Sequence, residues 1–453
     1  MALANVLEKA FRRFLPSPFA IAILLTLITI GLALAQGKKP LEPGQLAQWW
    51  ENGLWNPSLL VFMVQMMLIL VLGHTLALAG MVNRLIKSIV SLGKTPALSA
   101  FYVCLFTLLT AFVNWGLGLI VGALLARKSA EYLQSRGLAF NYGILGAAGY
   151  SSLMVWHGGL SGSSLLKVAE TGHLQTLGNI SGLSTAQLPT RIDLSETVFS
   201  TLNLLVSLFL LIALPLLCYG LARIAPTKKQ SLKSKKVDRE KVLKAQGAER
   251  IDQSLWTGRL FGLLMLAVGA YLITDSEGLS FLNPNFINLS LFGMGLLAHG
   301  SLNRFTGAVG EAIFGATGIL IQFPLYFGIM GLMSGSGLVT SISESMSNFA
   351  SANTLPILTF FNAGLVNVFV PSGGGQWAIQ GPIILESAIR LGVDLPKAIL
   401  ALAYGDQVTN MLQPFWALPL LGITGLNARE IIPYSLILMC VGSLIFLSFL
   451  YFG

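Results

Sequence analysis

The sequence predicts an all-α polytopic membrane protein: about nine transmembrane helices plus two opposed re-entrant hairpins in an inverted repeat. Three observations predict it. Of 453 residues, 54% are apolar and only 10% are charged, whereas a soluble domain carries about 25% charged residues. Apolar spans of ~20 residues, the length needed to cross a bilayer core of ~30 Å, recur along the whole chain. Three short matches relate its halves: Gln65–Leu70 to Gln322–Phe327, Ala111–Asn114 to Gly364–Asn367, and Ile144–Ala148 to Ile399–Ala403. Their offsets of 257, 253 and 255 are nearly constant, which is the signature of an internal repeat.

The elements follow in order. Residues 19–36 and 58–80 are the first two spans. Lys9, Arg12 and Arg13 precede the first, with no small-residue cleavage site, so it is expected to remain as an anchor. Residues 97–126 are apolar but broken at Asn114-Trp115-Gly116-Leu117-Gly118. Arg84, Lys87 and Lys94 lie before this segment, and Arg127, Lys128 and Arg136 after it. Both its ends are therefore expected on the cytoplasmic side, which makes it a hairpin. Residues 142–166, broken near His157, and 198–222 complete the first repeat, residues 1–222.

Residues 223–255 form a basic linker. Between Pro226 and Ser254 there are nine Lys or Arg and four Asp or Glu, so this segment alone supplies +5 of the net charge of +9. Positive charge between spans marks a cytoplasmic loop rather than a nucleic-acid footprint. Residues 256–283 are an extra transmembrane helix and an outer loop with Asp275 and Glu277. Residues 284–453 are the second repeat, with spans 284–299, 313–333, 398–422 and 432–452 and a hairpin at 355–388. No Lys or Arg occurs from Met333 to Ser387, so this hairpin is expected to enter from the outer face. The N-terminus and the linker are then cytoplasmic. Cys104, Cys218 and Cys440 lie in apolar spans and are expected to be small buried hydrophobes, with no disulfide framework.

The broken segments carry the candidate chemistry. Backbone interrupted at membrane depth persists only where it is buried in protein or lines a cavity, and transporters place substrate and ion sites at such breaks. The first tip supplies Asn114, Trp115, Gly116 and Gly118. The second, Pro371-Ser372-Gly373-Gly374-Gly375-Gln376-Trp377, supplies Ser372, Gly373, Gly374, Gly375, Gln376 and Trp377. Helix N-termini after each break suit a carboxylate, and the glycines permit close approach of backbone to a ligand. Packing is the alternative role for Gly118-Leu-Ile-Val-Gly122, which has small-xxx-small spacing. His157, in the first-half break Trp156–Ser164, is a further candidate donor to the substrate. Phe415 and Trp416 are candidates for an apolar subsite.

Asp406 is the only acidic residue between Asp394 and Glu430. A carboxylate inside a span is a functional candidate by default. With Gln407, Asn410 and Asn367 it forms the expected coupling-ion site, where Asp406 takes a proton or Asp406 and Asn367 bind Na⁺. No other cofactor is expected. No Gly-x-Ser-x-Gly elbow, His-Glu-x-x-His or Walker loop occurs, so ATP hydrolysis and enzymatic activity are not expected and an ion gradient remains as the energy source.

Four motifs together carry a family resemblance: Asn114–Leu119, Pro371–Pro382, Ala403–Gln407 and Gln413-Pro414-Phe415-Trp416-Ala417-Leu418-Pro419. The chain resembles the bacterial short-chain fatty acid transporters, which include acetoacetate and butyrate uptake proteins, over nearly its whole length. Where the family carries Gly-Glu-Gln, this chain has Gly405-Asp406-Gln407. Where the family has His after the three glycines, it has Gln376. The resemblance implies a scaffold domain and a mobile domain holding both hairpins, working as a homodimer in the bacterial inner membrane. It implies uptake of short-chain monocarboxylates coupled to H⁺ or Na⁺. A carrier of dicarboxylates or other small organic anions, or a passive anion channel, stays open as the alternative.

Overall fold

The computed structural model describes residues 16–35, 43–175, 177, 188–229, 232, 247–276 and 281–453. Most of the basic linker, the N-terminal Lys9, Arg12 and Arg13, and Glu277 lie outside the described residues. What is described is mainly helices joined by turns and irregular segments, and the β pairing among the described residues is one isolated antiparallel bridge between Phe140 and Lys228.

The helices are α1 (Pro18–Ala35), α2 (Pro43–Leu54), α3 (Pro57–Leu78), α4 (Gly80–Leu92), α5 (Pro96–Val113), α6 (Trp115–Ser135), α7 (Tyr142–Tyr150), α8 (Ser163–Lys167) and α9 (Thr201–Ile224). After the linker come α10 (Glu249–Gln253), α11 (Leu255–Asp275), α12 (Pro284–His299), α13 (Leu302–Ala312), α14 (Thr317–Gly335), α15 (Leu338–Asn348), α16 (Leu355–Phe369), α17 (Gly373–Leu391), α18 (Leu395–Thr409), α19 (Pro414–Thr424) and α20 (Ala428–Phe452). Among the described residues, seven helical runs are long and apolar enough to cross a membrane by length and composition. The expected spans 142–166, 284–299 and 398–422 are not among them: the helix Pro284–His299 has only 16 residues, and the other two are interrupted, the first by 3₁₀ turns at 151–158 and the second by one at Asn410–Leu412. The multi-pass membrane character is clear from these spans and from the lipid-like exposure of α11, where Trp256, Leu260 and Tyr271 are each more than 60% exposed.

One order of elements occurs twice. A run of 35 residues (Gly44–Leu78) and a run of 34 (Leu302–Gly335) each lead to a short helix. A helix–break–helix pair follows, then a broken helix, then a long closing helix (α9 or α20). The sequence reading missed α2, because its Gln, Glu and Gly residues dilute the apolar signal. Gly53 nevertheless seats it on α14: a Cβ there would lie within 2.4 Å of the Phe327 carbonyl. Gln65 links two helices, its Nε2 donating to Asn285 Oδ1 at 2.8 Å. Of the cysteines, Cys104 and Cys218 are buried as expected but Cys440 is exposed, because it lies on the outer side of α20.

Candidate functional site

Both sequence breaks are real interruptions between packed helices. Proline starts α5 and α16, and Asn114 and Ser372 are the N-caps of α6 and α17. A side-chain oxygen at the cap accepts from an amide that the helix leaves unpaired. Asn114 Oδ1 accepts from Leu117 N at 3.0 Å, and Ser372 Oγ from Gly375 N at 3.2 Å.

The first tip is closed by the first-half break. Trp115 N donates to Ser161 Oγ at 2.9 Å, and Leu160 N donates to the Phe112 carbonyl at 2.7 Å. Gly159 makes this possible, since a Cβ there would sit 2.6 Å from the Phe112 oxygen. Gly118 is a packing glycine: a Cβ would lie 2.7 Å from that of Ala111 on the facing helix. Asn114 is buried and committed to its cap. Of this tip, Trp115 lines the main cavity.

The second tip reaches the same break from the second half of the chain. A Cβ on Gly373 would lie 2.8 Å from His157 Nε2 and 2.9 Å from Ser163 Oγ, so only glycine fits the contact. The tip residues Ser372, Gly373 and Gly374 line a cavity of about 1170 Å³ with Ser161, Ser163 and the aromatic residues Phe62, Trp115, Trp156 and Trp416. Gln376 N donates to the Ser372 carbonyl and Gly375 N to its hydroxyl. The amides of Gly373 and Gly374 have no protein acceptor among the described residues, and both glycines line the cavity.

Two expected site residues turn away. Gln376 is fully buried and its Nε2 donates to the Ala363 carbonyl and to Gln380 Oε1. It ties α17 to α16 and does not line the cavity. Trp377 is 2% exposed, and its Nε1 donates to His173 Nε2 at 2.9 Å. A helical turn of 3.6 residues carries positions 376 and 377 round to the packed side of α17. Gly375 packs against its own cap, with Ser372 Oγ 3.1 Å from a Cβ position.

Behind the tip lies a polar cluster with little solvent access. Asp406, Gln407, Asn410, Asn367 and His157 are all buried. Asn367 Nδ2, with two hydrogens to donate, lies within hydrogen-bond reach of three acceptors: the Asp406 main-chain carbonyl, Thr409 Oγ1 and Asn410 Oδ1. Gln407 Oε1 accepts the His157 backbone amide at 2.9 Å, which locks the two broken helices together. Tyr150 OH is placed to donate to the Asn410 or the Gln413 carbonyl, each 2.7 Å away. Tyr150, Thr409 and Gln413 were not singled out from sequence. Their signal was only their position beside a break.

His157 Nδ1 lies 3.1 Å from the Ala403 carbonyl and 3.6 Å from Asp406 Oδ2. Both carboxylate oxygens of Asp406, and Asn367 Oδ1, have no hydrogen-bond partner. Buried polar atoms are normally satisfied, so this cluster is where a proton or a cation would be received. Among the described residues no group of three His, Cys, Asp or Glu could hold a metal ion, so a cation here would rest on amide and carbonyl oxygens besides Asp406.

At the cavity mouth, Lys167 pairs with Glu170 and Arg191 with Asp193. Both cations of the rim are thereby paired with a carboxylate, Asp275 adds a further acidic side chain to the lining, and the interior donors are neutral hydroxyls and amides.

The short chain fatty acid transporter family model matches residues 2–453. A relative from Escherichia coli (strain K12), named a candidate short-chain fatty acid transporter, is 36% identical over 452 residues, 98% of each chain. One of the same description from Haemophilus influenzae is 36% identical over 455 residues, 97% of each chain. Among solved structures, the Alcanivorax borkumensis YdaH transporter is similar with a TM-score of 0.49 and 16% identity, over 96% of this chain and 97% of that one. With a family model matched from end to end and relatives above 30% identity at full length, this chain belongs to the short-chain fatty acid transporter family.

Proposed function

We propose that this protein is a secondary active transporter that carries short-chain monocarboxylates such as acetoacetate and butyrate across the bacterial inner membrane, coupled to H⁺ or Na⁺. One observation carries the reading: the Ser372–Gly374 helix terminus lines a cavity walled by aromatic rings, with the His157 imidazole between Gly373 and the buried Asp406 carboxylate. A monocarboxylate needs one anion cradle and one apolar wall. The partial positive charge of the α17 N-terminus supplies the first, and Phe62, Trp115, Trp156 and Trp416 supply the second. Asp406, with Asn367, takes the coupling ion; it does not meet the substrate, since like charges repel at short range.

The recurring order of elements supports an inverted repeat with two re-entrant hairpins, the arrangement in which the site sits at mid-membrane and access alternates. On this reading the hairpins move together against the remaining helices, the protein works as a homodimer, and it is not an enzyme. The paired charges at the mouth disfavour a dicarboxylate, which would use an unpaired cation.

The test is uptake of radiolabelled butyrate into proteoliposomes, with Na⁺ and pH gradients imposed separately and empty liposomes subtracted for diffusion of the free acid. Saturable accumulation under one gradient is expected. Uptake that follows only the butyrate gradient, or competition by succinate in place of butyrate, overturns it.

A further inference from the structure

We propose that Trp416, braced by Trp115, is the partition that sets the acyl-chain length this site accepts. The proposal rests on the carboxylate-and-tail reading of the cavity.

The two indoles have cavity on both sides. They line the large cavity together with the Ser372–Gly374 tip. They also line a second, separate crevice of about 10 Å³ whose other walls include Met66, Ile69, Ile120 and Pro419. That volume holds no more than about one water-sized group. The walls named are hydrocarbon and thioether, so what the crevice favours is a methyl or methylene.

The partition is a ring contact, not a hydrogen-bonded one. Trp115 and Trp416 meet edge to face, with centroids 5.1 Å apart and planes at 83°. Phe62 flanks both, at 6.2 Å from Trp115 and 6.4 Å from Trp416. Trp416 is 5% exposed and its Nε1 has no hydrogen-bond partner. A buried indole normally finds an acceptor, and a buried donor without one is costly. Phenylalanine would pack in an apolar wall without that penalty, so the indole's reach is the property in use. It closes off the crevice behind it. The tip and Trp416 line one cavity, and on this proposal a tail extending away from the tip amides ends on the partition.

The consequence is a change in the chain-length ladder. Unlabelled acids from acetate to octanoate compete against labelled butyrate uptake in proteoliposomes. In the natural chain, inhibition strengthens to about butyrate and then stops strengthening. Removing the partition in Trp416→Ala opens the crevice, and each methylene beyond butyrate then gains about 4-fold in affinity. Trp416→Phe keeps the wall and is the variant least disturbing to folding; it gives a smaller gain in the same direction. Met66→Ala enlarges the crevice from behind. It leaves the ladder unchanged in the natural background and extends it in the Trp416→Ala background.

A ladder that keeps its shape in both Trp416 variants, with all acids weakened by one factor, overturns the partition while leaving the carrier intact. A shift of the ladder by Met66→Ala alone overturns it too, since the crevice would then already be reached. If no monocarboxylate competes with the natural chain, the partition and the monocarboxylate reading both fall.

Discussion

The two helix breaks look alike in sequence and differ in what they leave open. At the first, a single residue, Asn114, separates the helices, and Ser161 takes the amide of Trp115. At the second, residues 370–372 separate them, and Gly373 and Gly374, whose amides have no protein acceptor among the described residues, line the cavity. The first tip is thus bolted to the neighbouring break, whereas the second is shaped around a space. Related breaks in one chain therefore take different roles, and the division is made by whether the following amides find a protein acceptor.

The largest effect expected is at the carboxylate behind the open tip. Asp406→Asn removes the only ionisable oxygen pair there, and concentrative uptake should fall by about 100-fold, the scale of a lost proton-transfer group. Gradient-driven accumulation in proteoliposomes measures it; accumulation at the natural level would move the coupling site elsewhere.

Gly373→Ala comes next. Its methyl would stand 2.8 Å from His157 Nε2, so the tip must shift, and misplacement by about 1 Å can cost up to about 100-fold in rate. The comparable change at the bolted tip is Asn114→Ala. It should cost about 1 kcal/mol of stability as a lost cap, seen as a lower melting temperature in detergent, with the KM for butyrate little changed. Ser372→Ala should instead raise KM. If Asn114→Ala moves KM more than Ser372→Ala does, the contrast between the tips is reversed.

The smallest effect is a pH dependence of α17. Burial holds the His173 imidazole below the usual histidine pKa, against the opposing influence of Glu170, and Nε2 must keep its lone pair to accept from Trp377. The unfolded chain takes up a proton below about pH 6.5 while folded His173 resists, so this contact is whole above that pH and is lost as pH falls through the lowered folded value. The bond contributes about 1 kcal/mol. Trp377 fluorescence, followed from pH 8 to 5 against His173→Gln, should show a transition only in the natural chain.

Much of this was legible beforehand. Composition and apolar length alone required a multi-pass helical membrane protein, because each backbone amide in lipid must bond within its own helix. The glycines and prolines of 371–382, and the isolated Asp406, marked the breaks for the same reason: both are costly in lipid unless used. Side-chain direction was not legible. Gln376 and Trp377 sit next to the glycine run and yet face the packed side of α17, and Gly116 and Gly118 serve the crevice and the helix contact. Nor could sequence distance bring Ser161 to Trp115, or His157 to Gly373, across 46 and 216 positions. Which helices break was fixed by local chemistry written in the chain. Which broken end is sealed, and which faces the cavity, was decided by tertiary packing, where a carbonyl or hydroxyl from a distant segment is either present or absent.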